Sequence, residues 1–483
     1  MAKWRIVGVL VFAVTMGVAS FGMPLGFTQS ASNALQTPAA TPLEEAMVLA
    51  AVDQFYPELQ MARIEARKAS AKRLEKQGAF DPKLEGRSEW ARYNSSSDAG
   101  KAQDIQVTDV AVTLPTRFGA SVSAGYMVAN GDVKTPYSPT GSGGEAYWGL
   151  RLPLLQGAWF NTASVAERQA LLGERWAEQL LAQKRLAILN KALQAYWQWV
   201  AAVGKYRIEQ DLLALADFRV GAIQKRATAG DLPTIAVTEA QQERALRQGR
   251  LVRAERDVQE KAFKLNAFLW QSADTLANTP QLTQAPLPLL TNMTAPTATA
   301  VDDGKLTALQ KRPELQALSL TQSVAKLERS LARNFLLPKV DGYIQQGFET
   351  GSKAVSPTFR AGVSVSVPLR YRKQLGELRQ AELELEKLTA QQRWLMGQVF
   401  IEVMDSVSFW EQTVGQATAA EAEVGFAQQV EVGERKRFEL GDSTLFMVNQ
   451  RERFTAEARQ RFVDLLAQSY YARTLYQVVT NTL

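Results

Sequence analysis

The sequence predicts a mixed chain built from two structural repeats. Each repeat reads as a helix, a set of strands, a very long helix and a second helix. Three observations predict this. First, the beginning of the chain returns later: Tyr56-Pro57-Glu58-Leu59-Gln60 as Arg312-Pro313-Glu314-Leu315-Gln316, and Phe80-Asp81-Pro82-Lys83-Leu84-Glu85-Gly86 as Leu336-Leu337-Pro338-Lys339-Val340-Asp341-Gly342, both at one offset. An offset of this size marks a duplicated unit rather than a solenoid period. Second, proline is absent between Leu154 and Leu232 and again after Pro368, as two long helices require, because Pro removes a backbone donor and clashes inside a helix. Third, between these helical stretches the hydrophobic period changes to two.

Residues 1–34 read as a signal peptide. Basic Met1-Ala2-Lys3-Trp4-Arg5 precedes an apolar run from Ile6 to about Ser20, and Ser32-Asn33-Ala34 is a small-x-small cleavage site. The first repeat spans residues 35–270. Thr41-Pro42-Leu43-Glu44 is a capping box with Pro at the first helical position, so a helix is expected from there to about Gly78, where Pro82 stops it. Three alternating stretches follow: Val110, Val112 and Leu114; Val122, Ala124, Tyr126 and Val128; and Trp148, Leu150, Leu152 and Leu154. Each reads as a strand with one apolar and one polar face. Residues 94–101 and 130–144 are rich in Gly, Ser, Asn and Pro and read as loops. A long helix is expected over about 161–227 and a second over 233–270.

Residues 271–303 are rich in Pro, Thr and Ala and read as a linker. The second repeat spans 304–483. It has a helix over roughly 305–334, then Phe359, Ala361, Val363, Val365, Val367 and Leu369 alternating with polar or small residues. A long helix over 371–439 and a last helix over 444–479 complete it. At 1.5 Å per residue each long helix extends roughly 100 Å. Leu375, Leu378, Leu385, Leu388, Leu395, Val399 and Val403 form a seam of three- and four-residue steps. Both long helices end at a Gly-Asp pair, Gly230-Asp231 and Gly441-Asp442. The two repeats differ in one respect. The first carries about 41 more residues between Pro82 and Pro153 than the second does between Pro338 and Pro368. That insertion is either an added strand pair or a long surface loop.

Composition excludes much chemistry. There is no histidine and no cysteine, so the usual general base, the usual zinc ligand, a thiol nucleophile and any disulfide are absent. No phosphate loop or nucleophile elbow is present. No enzyme and no cofactor are expected. The formal charge of +6 falls to +4 without Lys3 and Arg5 and is spread over alternating signs, which argues against a nucleic-acid stripe. Beyond residue 20 no apolar run reaches the roughly twenty residues a spanning helix needs. Strands of about ten residues with one apolar face instead match a membrane barrel, and lipid tolerates only closed barrels. Four to six strands per chain are fewer than the smallest barrel holds, so several chains must share one. A soluble sandwich is the alternative for the strands. For the whole chain the alternative is a secreted, extended coiled-coil protein with structural or adhesive work.

The duplicated order resembles the TolC-like outer-membrane efflux proteins. The carrying residues are Tyr56-Pro57-Glu58-Leu59, Phe80-Asp81-Pro82-Lys83-Leu84, Leu152-Pro153-Leu154-Leu155 with Gly157, and the Gly230 and Gly441 turns, with second-half mates Pro313, Pro338 and Val367-Pro368-Leu369. The resemblance covers nearly the whole chain after residue 34. It implies a homotrimer whose strands close one barrel in the outer membrane while its helices form an α-barrel through the periplasm. Such a tube is a passive exit duct for substrates delivered by an inner-membrane transporter and a periplasmic adaptor, in efflux or type I secretion. It also implies that Gly230, Asp231, Gly441, Asp442 and Ser443 form a tip that meets the adaptor. Acidic residues narrow the family's pore just after the second Gly-containing turn. Here Met447 and Gln450 hold those places, so any constriction is not acidic. Asp231 and Asp442 also read as helix caps. Val363, Val365 and Val367 are the lipid-facing candidates. Trp90, Tyr93, Tyr126, Tyr147, Trp148, Tyr343 and Phe359 read either as interfacial girdle residues or as ordinary strand residues. Tyr196-Trp197 and Phe409-Trp410 read as helix packing.

Overall fold

A computed structural model of the chain describes residues 42–483 apart from 95–101, 132–139, 141–142, 273, 287–292, 295, 298 and 351–356. The signal-peptide reading, its cleavage site and Thr41 of the capping box lie outside the described residues.

The first expected helix is two helices, α1 (Glu45–Phe55) and α2 (Pro57–Gln77). The corresponding helix of the second half is likewise split into α5 (Ala300–Lys311) and α6 (Pro313–Asn334). The reason is in the repeated motif. A residue before proline is pushed out of the helical region by the Pro ring, and Tyr56 (φ −62°, ψ 121°) and Arg312 (φ −61°, ψ 122°) are both extended. α1 opens at Glu45 without a side-chain cap. The segment before it is held by Leu43, whose N–H donates to the Gln284 carbonyl at 2.8 Å. α5 opens at Ala300, ahead of the expected Lys305, with Asp302 and Asp303 in its first turn, where the helix dipole favours acids.

The sheet has six antiparallel strands in the order β1 (Lys83–Asn94), β2 (Ala102–Pro115), β3 (Ser121–Gly131), β4 (Glu145–Pro153), β7 (Lys339–Glu349), β8 (Thr358–Ser366). β1 and β7 escaped the periodicity reading. Gly86 and Ser88 in one, and Gly342 and Gln346 in the other, dilute the apolar positions. The insertion is therefore an added strand pair: four strands precede the first long helix and two precede the second. The register puts Leu84, Val110, Val112, Leu114, Val122, Trp148, Leu152, Ile344, Phe359, Val363 and Val365 on one face, and all are exposed. The opposite face carries Glu85, Arg87, Glu89, Asp109, Arg151, Gln345, Arg360 and Ser364, with a small apolar cluster of Ile105, Val107, Met127 and Ala129 toward the ends far from the helices.

The long helices are α3 (Thr162–Thr228) and α7 (Arg372–Glu439), followed by α4 (Thr234–Asn266) and α8 (Leu445–Thr480). α3 is started by a complete capping box, Asn161 accepting from the Ser164 N–H while Ser164 accepts from the Asn161 N–H. Between the halves lie the short strands β5 (Trp270–Ser272) and β6 (Thr275–Leu276) and a 3-10 turn at Leu282–Gln284.

Next to the sheet, α2, α3, α6 and α7 pack side by side in that order. Part of the sequence seam lies here, with Leu388 buried against Leu318 and Ala325 of α6 and with Leu385 and Leu395 beside them. Leu375, one of the seam's first members, is exposed. The main core sits at mid-length, where α1, α3, α4, the linker and α8 meet around Val52, Leu189, Trp199, Val203, Leu265 and Leu466. Tyr196-Trp197 pack in that core, Trp197 stacking on Tyr470 with ring centroids 4.6 Å apart, and Trp410 packs on Tyr476. Beyond the core, α3 pairs with α4 and α7 with α8 down to the two Gly-Asp turns.

Candidate functional site: the helical tip and its buried ion-pair cluster

The two turns share one geometry. Gly230 (φ +83°) and Gly441 (φ +81°) are left-handed, a conformation that costs a residue with a Cβ about 1–2 kcal/mol. Each Gly N–H bonds the carbonyl three residues back, and the following Asp N–H bonds the carbonyl five residues back, Asp231 to Arg226 and Asp442 to Arg437, both at 2.9 Å. These are Schellman-type endings. The turns lie at the same end of the molecule. Ile223 before the first, Ala240 after it and Leu445 after the second are buried together, with Phe438 packed against them.

The two aspartates do not cap the next helices. The N-caps are Pro233 for α4 and Thr444 for α8, Thr444 accepting from the Met447 N–H at 3.4 Å. The chain needs two further residues to leave the left-handed turn before it can re-enter a helix. Asp442 instead accepts from Arg437 Nε at 3.0 Å, and the Ser443 hydroxyl bonds Glu434. Met447 and Gln450 are half-buried on α8, flanking buried Val448 and Asn449.

The next turn of α8 holds a buried cluster of charged residues. Glu452 is fully buried. Arg219 of α3 grips both its oxygens, with one guanidinium contact at 2.9 Å, while Arg247 of α4 donates at 2.7 Å and Arg435 of α7 at 3.3 Å. One carboxylate thus ties all four tip helices. Arg247 also donates to Glu243 at 2.9 Å and to the Leu212 carbonyl at 3.0 Å, Arg219 donates to Asn449 at 2.7 Å, and Arg453 bonds Glu243. Burial works against the charge on Glu452, but hydrogen bonds and attraction from Arg219 and Arg247 outweigh it and hold its pKa below the ordinary carboxylate value. Glu243 is held low in the same way, burial being outweighed by Arg453 and Arg247.

Sequence reasoning missed this cluster. Its one legible trace is the Glu243–Arg247 pair at i,i+4, which on most helices is a solvated surface pair. In the sheet, Val363 and Val365 are among the most exposed residues, and Val367 lies one residue beyond the end of β8. Of the strand aromatics, Trp90, Tyr126, Trp148 and Phe359 stand on the apolar face, and Tyr147 and Tyr343 on the polar one. Among the described residues no helix is long and apolar enough to cross a membrane.

An open sheet continuous with helices of this length has counterparts among solved structures. CusC, solved in connection with transmembrane channel formation, superposes with a TM-score of 0.66 at 12% identity, covering 93% of this chain and 94% of that one. The Campylobacter jejuni CmeC outer membrane channel gives 0.63 at 12% identity, over 95% and 94%. The outer membrane protein VceC from Vibrio cholerae gives 0.63 at 15% identity, over 90% and 95%. The chain has the fold of the TolC-like outer-membrane channels. No family model and no curated protein matches the sequence. The TolC-like fold is thus kept while nearly nine residues in ten differ, as expected when long amphipathic helices and alternating strands need only the right period.

Proposed function

We propose that three copies of this chain form an outer-membrane channel extending into the periplasm, the passive exit duct of an efflux or type I secretion system. The observation that carries this reading is the sheet itself: six strands in a linear order, an unpaired edge at β1 and another at β8, and one face of exposed apolar side chains. Such a sheet is viable in lipid only when closed, and copies of the same chain supply the missing edges by joining β8 to β1. The helices repeat the pattern, since α2 and α7 stand at the two ends of the packed row. Val363, Val365 and Val367 then face lipid, and the polar face lines the lumen.

The tip is the candidate docking and gating end. Gly230, Asp231, Gly441, Asp442 and Ser443 meet a periplasmic adaptor that couples the duct to an inner-membrane transporter, and Met447 and Gln450 narrow the lumen. The Glu452 cluster is the clasp behind that constriction. It locks the α3/α4 and α7/α8 hairpins together, so opening the tip requires parting a fully buried carboxylate from its arginines. No residue in this arrangement performs covalent chemistry. Light scattering of the detergent-extracted protein, whose chain mass is 53.3 kDa, is expected to give three protomers per particle. A monodisperse monomer that inserts into bilayers overturns the proposal.

A further inference from the structure

The added strand pair has a functional consequence. We propose that the β1–β2 hairpin widens the outer-membrane pore from twelve strands to eighteen, so that the membrane section admits bulky hydrated solutes and selection falls to the helical tip. This inference rests on the trimer reading above.

The hairpin lies at the β1 edge and continues the wall rather than hanging from it. β1 pairs with β2 over twelve positions and β2 with β3 over eleven, without a register break. Its apolar positions continue the exposed face of the other four strands: Leu84 opposes Val112, Val112 opposes Ala124, and Val110 opposes Tyr126. On the other face Ile105 and Val107 of the hairpin are buried with Met127 and Ala129 of β3, which fastens the hairpin into the plane of the sheet. Its polar positions, Glu85, Arg87 and Glu89, carry charge onto the face that lines the proposed lumen. A hairpin lying free in water would have no reason to keep Leu84, Val110, Val112 and Leu114 on one exposed side.

The hairpin is also separable. The guanidinium of Arg117, in the β2–β3 turn, lies 4.9 Å from the Phe80 ring just before β1. Lys83 at the start of β1 pairs with Thr113 near the end of β2, so the chain leaves and re-enters the helical end at neighbouring points. Removing residues 82–116 joins these points and leaves the β3–β4, β4–β7 and β7–β8 pairings intact. Four strands per chain make twelve in a trimer, and six make eighteen. Barrel diameter grows roughly linearly with strand number, and barrels of 16–18 strands leave an open aqueous channel. The wild-type barrel is thus about 1.5 times as wide as the shortened one.

The chain has no cysteine, so Ser364→Cys places a single thiol on the polar face near the helical end of β8, opposite Asp341. Maleimide-polyethylene glycols of graded size, added outside intact cells, must cross the barrel to reach it. The largest reactive polymer is expected to be about 1.5 times wider for the full chain than for the chain lacking residues 82–116. An equal cutoff in two trimeric, outer-membrane proteins overturns the proposal while leaving the trimer reading in place. A full-length protein that is not trimeric removes the trimer reading itself. Should the deletion fail to assemble, Val110→Arg and Ala111→Arg decide. Loss of outer-membrane trimers with the first and their retention with the second places β2 in the lipid-facing wall, and any other pattern overturns the proposal.

Discussion

Replacing Glu452 with glutamine removes a charge while keeping the shape of the side chain, and it tests the clasp directly. The carboxylate is fully buried, and two of its three arginines, Arg219 and Arg247, are 13% and 3% exposed. Glutamine leaves both guanidiniums facing a neutral amide, with one oxygen now a donor pointing at donors. Removing one partner of a buried ion pair costs about 3–5 kcal/mol, because the remaining charge stays desolvated. Arg435 is the internal control. It is 38% exposed and also bonded to Glu431, so Arg435→Ala is expected to cost about 0.2–1 kcal/mol, as exposed pairs do. The cost should be local. Amide hydrogen exchange in the Glu452→Gln protein is expected to accelerate over residues 212–250 and 431–460 while 185–203 in the main core stays protected. Single channels should show a larger open conductance. The same carboxylate sets a pH dependence. Its arginine partners hold its pKa in the fold below the ordinary glutamate value of about 4.5, so it contributes fully above that pH and its contribution fades as the pH falls below it. Exchange at the tip that is unchanged both by Glu452→Gln and by acidification below pH 4.5 would refute the clasp.

Val365→Arg is expected to cost about 2–4 kcal/mol in an outer-membrane assembly assay if it lies near the bilayer midplane; Ser364→Arg, on the opposite face, should be milder and alter conductance instead. Gly441→Pro should abolish export while trimers still assemble, because Pro cannot adopt φ +81° and lacks the N–H that bonds the Phe438 carbonyl; normal export would sink the docking role. Aspartate at both Met447 and Gln450 should make single channels more cation-selective, as rings of carboxylates do. Unchanged selectivity there would move the constriction elsewhere on α8.

The long elements were legible from sequence because their causes are local. A proline-free stretch with a three- and four-residue seam has no alternative to a helix, and α3 and α7 match their expected limits to within one residue. The Gly-Asp turns were legible for a related reason, since few residues besides Gly enter the left-handed region cheaply. The breaks at Tyr56 and Arg312 are local too, since the residue before proline is pushed out of the helical region. β1 and β7 stayed hidden because glycines and polar residues thin their alternation, and pairing with neighbouring strands, β2 for β1 and β4 and β8 for β7, is what holds them extended. The Glu452 clasp left only the Glu243–Arg247 spacing as a trace in the sequence. Arg219, Arg247, Arg435 and Glu452 sit on four different helices, and each alone looks like an ordinary charged residue on an amphipathic surface. Only the packing of α3, α4, α7 and α8 decides that Glu452, Arg219 and Arg247 face inward, where low dielectric turns ordinary charges into a lock. Period and turn chemistry act between residues close in the chain, and a sequence records them. Burial is a property of what stands opposite, and only the tertiary structure decides it.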